Sequence, residues 1–270
     1  MCGRTRCALQ PKSVVSFAQN VGATCRPNFN DLFKPLYNIG PGQYLPIIIQ
    51  HADGQSMSEL VAARWGLIQK SPPDFFKMFN CRSESMHEKP SFRHLLSQNR
   101  CVVITQGFYE WKHEHFGDKQ PYFVHFAEAD VMAMAGLYRT WVDENGKKIE
   151  TFTIITTDSN KELSWLHDRM PMILDSVEAM KSWLDPQVKQ NIGPYHGERP
   201  ILYHKVTPKI GKLSFQGKEC CQEYGKSQRT ITSMFSKKAD VNVSGQKRKQ
   251  EPHLKREEET GEKIIKREHS

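Results

Sequence analysis

The sequence contains no Cys-x-x-Cys pair and no histidine and cysteine run at zinc-finger spacing; its seven cysteines are an odd number and lie scattered. This excludes a disulfide framework and a structural zinc module, and it points to a reducing compartment. No metal and no other cofactor is expected. No stretch approaches the roughly 20 apolar residues of a membrane span, and Arg4, Arg6 and Lys12 break up any apolar run that a signal peptide would require. The expectation is an intracellular, soluble protein that acts as a monomer and does not meet membranes. Internal repeats are absent, and so is the strand, helix, strand rhythm of a parallel sheet.

What is present fits a globular body with a polar appendage: 270 residues, 38% hydrophobic and 25% charged, with a net charge of +8. Residues 237–270 hold ten Lys/Arg and seven Asp/Glu, a net of +3 of the total +8, so residues 1–236 keep +5. A basic surface on the body could meet phosphates, or be only a solvated face. Residues 11–22 place Val14, Val15, Phe17 and Val21 at helical spacing between a starting proline and a stopping glycine. Strands are expected over 45–49, 60–67 (returning through an Asp53-Gly54 turn), 101–104 and on into 107–111, then 122–126, 131–141, 152–156 and 201–206. Short helices are expected over 91–97, 160–168 and 177–184, and an extended segment after Pro171. Many strands on short turns with few helices indicate an α+β fold: a curved, largely antiparallel, barrel-like sheet in a single domain over residues 2–207. A linker over 208–236 and a disordered, charged tail over 237–270 complete the plan.

Position 2 carries distinctive chemistry. Removal of Met1 would leave Cys2 with a free α-amine beside its thiol, and roughly a tenth of such amines are unprotonated at neutral pH. The amine attacks aldehydes to give a Schiff base, and the thiol can close onto the imine carbon to form a five-membered thiazolidine. The same pair could instead perform acyl transfer. Four further residues stand out. Glu110 lies between two aromatic residues in an apolar strand, where a carboxylate must be paired or catalytic. His167 precedes a proline at a helix end, a place for a capping residue or a proton-transfer group. Asn80 and Arg82 occupy a polar stretch, the asparagine suited to orienting a nucleophile or sugar oxygen and the arginine to clamping phosphate.

Six motifs occur in order: Met1-Cys2-Gly3-Arg4, the Asn38/Pro41 turn, Arg64-Trp65-Gly66-Leu67, Asn80-Cys81-Arg82-Ser83-Glu84, Gly107-Phe108-Tyr109-Glu110-Trp111 and His167-Asp168-Arg169-Met170-Pro171. In this the chain resembles the SRAP family in its eukaryotic form, over roughly residues 2–207, with Gln106 where the family usually has aspartate. The resemblance implies a sensor of abasic sites in single-stranded DNA, whose ring-opened sugar aldehyde ends as a thiazolidine on Cys2. It implies that Asn80 positions Cys2 and the sugar, that Glu110 moves protons and that His167 promotes ring opening. It also makes Arg4 and Arg82 candidates for backbone phosphates, with Asn38 and Trp65 beside them, Trp65 as a stacking surface. Gln228, Ile231, Met234 and Phe235 resemble the motif that docks on the sliding clamp, proliferating cell nuclear antigen. Lys247-Arg248-Lys249 and Lys255-Arg256 fit a bipartite nuclear signal, and a nuclear location is expected. Two other readings stay open: a peptidase with Cys2 as acyl-transfer nucleophile supported by His167 and Glu110, and a noncovalent reader of modified DNA.

Overall fold

The structure is a computed structural model, and it describes residues 3–50, 57–68, 78–113, 117, 119–127 and 131–225. In chain order these form β1 (Arg4–Cys7), α1 (Pro11–Val21), β2 (Thr24–Cys25), α2 (Phe29–Leu32), β3 (Leu36–Ile39), β4 (Tyr44–Ile49), β5 (Glu59–Trp65), β6 (Asn80–Arg82), α3 (Pro90–Gln98), β7 (Arg100–Thr105), β8 (Gly107–His113), β9 (Lys119–Phe126), β10 (Met132–Val142), β11 (Lys148–Asp158), β12 (Arg169–Pro171), β13 (Ile173–Leu174), α4 (Val177–Leu184) and β14 (Ile201–Lys205). The helices are short and local in origin. In α1, Pro11 supplies the first turn, Val14, Ala18 and Val21 face inward, and Gly22 ends the helix at φ 97°, a left-handed conformation that glycine adopts without strain.

Two sheets share the core. In the larger, β11, β10, β7, β4 and β5 are neighbours in that order, and β5 returns to β11 through the parallel pairs Arg64↔Thr151 and Trp65↔Phe152, so five strands close on themselves. Every residue of β7 is buried, as its β-branched run without polar alternation requires. The second sheet, β14-β9-β8-β1-β3, is antiparallel throughout. The α+β, barrel-like, largely antiparallel fold is as expected.

Side chains of the second sheet alternate between two environments. Phe108, Tyr122, Val124 and Phe126 join the barrel in the main core, whereas Tyr109 and Phe123 pack on the opposite face against Val206, Ile210 and Cys220. That outer face is covered by residues 206–225, which include 3-10 turns at Pro208–Gly211 and Lys218–Cys221. The boundary expected at residue 207 is therefore corrected. Residues 208–225 are packed against the domain, with Ile210 and Cys220 fully buried, because Tyr109 and Phe123 would otherwise expose an apolar sheet face. The compact unit takes in the described residues through 225.

A second correction concerns residues 160–168. They form consecutive turns, not a helix: the Ser164 and His167 N–H groups bond four residues back, to Asn160 O and Leu163 O, but these bonds are not consecutive, and the Leu163 and Leu166 N–H groups close tighter three-residue turns, the first also held by Asn160 Oδ1 at 3.0 Å. The chain then joins β11 directly as β12, from the pair Asp158↔Arg169 onward. The Asp53-Gly54 turn, the clamp-like motif and the charged tail lie outside the described residues.

Candidate functional site

β1 pairs with β8 in the register Arg4↔Tyr109, Thr5↔Phe108 and Arg6↔Gly107, and Gly3 precedes β1 at the end where Glu110 follows Tyr109. The approach of β8 to β9 needs Gly107. Its φ is 136°, and a methyl group there would collide with the Val124 carbonyl oxygen and the Phe123 ring. Cys2 itself lies outside the described residues.

Glu110 shares the inward face of β8 with Phe108 and is 5% exposed; its Oε1 accepts from the Trp111 N–H at 3.2 Å. Its partner on β9 is Tyr122. Against Tyr122 packs Trp165, edge-on with ring centroids 5.0 Å apart, and two residues beyond Trp165 comes His167. The turns thus carry His167 to the Glu110 side of the sheet.

His167 Nδ1 lies 3.0 Å from the Arg169 N–H and 2.6 Å from Asp168 Oδ1. One nitrogen cannot accept from the first and donate to the second at once. The backbone donor is fixed and the Asp168 side chain is 84% exposed and free to turn, so we assign Nδ1 as the acceptor, which puts the proton on Nε2. Nε2 is then a hydrogen-bond donor.

Asn80 and Arg82 stand on β6, parallel to β11 in the register Asn80↔Ile154 and Arg82↔Thr156. Thr156 is also the partner of Pro171 on β12, so β11 has the Asn80 segment on one flank and the His167 segment on the other. Arg169 ties the flanks together. Its guanidinium donates to both carboxylate oxygens of Glu84, to Asp158 Oδ1 at 2.6 Å and to the Thr156 carbonyl at 2.7 Å. Burial opposes its charge, but the hydrogen bonds and attraction of Glu84 and Asp158 outweigh this and raise its pKa; Glu84 is held below the usual carboxylate range by the same hydrogen bond. Both residues sit inside motifs read from the sequence, yet neither was given a role; the signal was a pair of opposite charges placed beside two functional groups.

Burial raises the thiol pKa of Cys7 and of Cys81 to about 12 and that of Cys220 to about 11, and it also raises Cys25, Cys101 and Cys221.

With this geometry in place, the comparison with known proteins is decisive: the family model described as SOS response associated peptidase (SRAP) matches residues 1–213. The chain belongs to the SRAP family. A similar SRAP relative, the abasic site processing protein HMCES of Xenopus tropicalis, is 35% identical over 260 residues, covering 82% of this chain and 77% of its own. The abasic site processing protein YoqW of Bacillus subtilis is 39% identical over 158 residues, 57% of this chain and 69% of its own. A crystal structure of a Bacteroides thetaiotaomicron protein superposes with a TM-score of 0.69 at 26% identity, covering 82% of this chain and 99% of that one.

Three expected DNA contacts sit elsewhere in this SRAP domain. Trp65 is fully buried, stacked on Phe152 at 6.4 Å, and its Nε1 donates to Phe79 O at 2.9 Å. A ring with no exposed face cannot stack a base; it anchors the carbonyl next to Asn80. Asn38 is likewise fully buried, and its Nδ2 donates to the carbonyls of Ile210, Lys212 and Phe215. It fastens residues 208–225. Arg4 pairs with Tyr109 and so projects to the outer face, away from Glu110. Three of its N–H donors are committed to Asn38 Oδ1, Ile210 O and Gly211 O. Arg82 is exposed, as a phosphate contact must be.

Proposed function

We propose that the protein senses abasic sites in single-stranded DNA and captures them covalently through Cys2 once Met1 is removed. The observation that carries this reading is the register of β1 on β8, which brings Gly3, the neighbour of Cys2, to the Glu110 end of the sheet, where His167 also lies. The relatives named above as abasic site processing proteins supply the substrate class, and the raised thiols of the other described cysteines favour Cys2 as the nucleophile.

In this mechanism His167 Nε2–H hydrogen-bonds the deoxyribose ring oxygen and promotes opening to the aldehyde. The Cys2 amine adds to C1′, and loss of one water gives the imine, with Glu110 relaying protons. The Cys2 thiol then adds across the C=N bond: sulfur bonds to carbon and the thiol proton ends on nitrogen. The sum is aminothiol plus aldehyde to thiazolidine plus water, with no redox change. Asn80 orients the terminus and Arg82 holds a flanking phosphate. Docking on the sliding clamp through Gln228, Ile231, Met234 and Phe235, in the nucleus, belongs to the same proposal.

The test is incubation with single-stranded DNA that carries one abasic site. The expected product is a heat-stable crosslink in the processed protein, absent in Cys2→Ala and in protein that retains Met1; an undiminished yield in either refutes the mechanism. The family description as a peptidase favours a second reading, acyl transfer by Cys2. Peptide cleavage by wild type but not by Cys2→Ala would support it.

A further inference from the structure

We propose that Trp165 and Tyr203, flanked by Lys112 and Lys205, form a stacking track for the bases that adjoin the lesion in single-stranded DNA. This inference rests on the abasic-site reading above and gives the flanking strand a place to lie.

The track follows from sheet register. Glu110 pairs with Tyr122, and Tyr122 pairs with Lys205. Paired residues, and residues two apart along a strand, share a face, so Glu110, Lys112, Tyr122, Lys205 and Tyr203 all project from the inward face of the second sheet. Trp165 lies across this face, with its centroid 4.9 Å from that of Tyr203 and Lys112 Nζ 4.8 Å from its own centroid. Its buried Nε1 donates to nothing among the described residues. The contacts of Trp165 are therefore made by its ring.

Tyr203 is 44% exposed, on β14 at the edge of the sheet. A large ring is thus left half in water next to another aromatic residue. Two lysines interleaved with two rings on one face, continuous with Glu110 and His167, match what a single strand of DNA needs. The cations take phosphates, the rings take bases, and the contacts are tolerant of sequence. A polypeptide partner would need carboxylates placed beside both rings to meet the two lysines, whereas a single strand of DNA carries a phosphate at every nucleotide.

The experiment uses the full chain with Met1 removed and oligonucleotides carrying a tetrahydrofuran abasic analogue, which has no aldehyde, so that binding is measured without capture. A fluorescent 2-aminopurine is placed one or two nucleotides from the analogue on either side. Wild type is expected to quench the probe on one side. Tyr203→Ala should abolish that quenching and weaken binding roughly tenfold, while Tyr203→Phe, which keeps the ring, should preserve both. Lys205→Ala should lower the salt slope by about one. Equal binding and quenching in Tyr203→Ala and wild type would overturn the track, as would a loss in Tyr203→Phe as large as in Tyr203→Ala, since the hydroxyl would then be the contact. Each variant is melted alongside wild type, and Tyr203→Ala is expected to stay folded because its ring is half exposed. Crosslinking of aldehyde-bearing DNA by wild type together with an unaffected Tyr203→Ala would remove the track and leave the covalent reading standing. Quenching that follows the expected pattern without any crosslink would do the reverse.

Discussion

Replacing Arg169 by methionine tests whether the two flanks of β11 are held by one buried cation. Arg169 is 8% exposed as a side chain, whereas its carboxylate partners Glu84 and Asp158 are 51% and 79% exposed. The partners reach water when the cation is gone, so each ion pair contributes at most about 1 kcal/mol after solvent screening. The charged hydrogen bond to the buried Thr156 carbonyl contributes more, about 1.5–3 kcal/mol, and methionine preserves the packing of the aliphatic stem. The expected loss is roughly 2–4 kcal/mol, a fall in melting midpoint of about 4–15 °C for a domain of this size. Glu84→Gln, which removes one exposed partner, should cost less than about 1 kcal/mol. Because the Arg169 N–H also fixes His167 Nδ1, displacement of β12 should slow crosslinking in Arg169→Met more than in Glu84→Gln. Thermal melts and crosslinking time courses on both variants check this. A Glu84→Gln midpoint as low as that of Arg169→Met would show that the burial argument is wrong, and a midpoint for Arg169→Met within about 2 °C of wild type would show that the clip holds nothing.

The depressed carboxyl of Glu84 has a pH signature. Its contribution is complete above the unfolded value of about 4.3 and is lost as pH falls through the lower folded value. Wild type should therefore lose more stability than Glu84→Gln on going from about pH 5 to pH 3 in paired denaturant titrations. Gly107→Ala must move the Val124 carbonyl and the Phe123 ring while holding a φ of 136°; a cost of roughly 2–5 kcal/mol is expected, read from chemical denaturation. Asn38→Ala leaves the carbonyls of Ile210, Lys212 and Phe215 without their shared donor, and limited proteolysis should then cut within residues 207–216 well before the wild-type chain is cleaved. Trp65→Phe removes part of a fully buried ring and the bond to Phe79 O; a cost of roughly 2–4 kcal/mol with a reduced crosslinking rate is expected, and an unchanged rate would show that Asn80 does not depend on that anchor.

Much of the fold was legible because local signals and global packing agree. The proline and glycine bracketing α1, the β-branched run of β7 and the helix over Val177–Leu184 each carry their own punctuation, and the structure follows it. What escaped was structure that depends on distant partners. β3 reads as turns because its partner β1 lies some thirty residues away, and β6 reads as a polar stretch because its three residues gain strand character only beside β11. Residues 208–225 show no periodicity, since they are held by Asn38 and by the apolar face of Tyr109 and Phe123.

The site divides along the same line. Residue type singles out Glu110 and His167, a carboxylate among aromatics and a histidine before a proline, but each alone fits a structural group equally well, and it is the six ordered motifs together that give them expected roles. Direction was the hidden variable. β1 and β8 alternate, and period two says that Arg4 and Arg6 share a face without saying which face has the substrate. The pairing decides it: Arg4 opposite Tyr109 and Arg6 opposite Gly107 turn both guanidiniums outward, where Arg4 lies 5.9 Å from the Trp111 ring centroid and Arg6 5.2 Å from that of Tyr37. The same pairing turns Glu110 inward, toward Trp165 and His167. A basic residue near the N-terminus is thus structural here because of a one-residue phase, and a shift of β1 by one position on β8 would exchange the two roles.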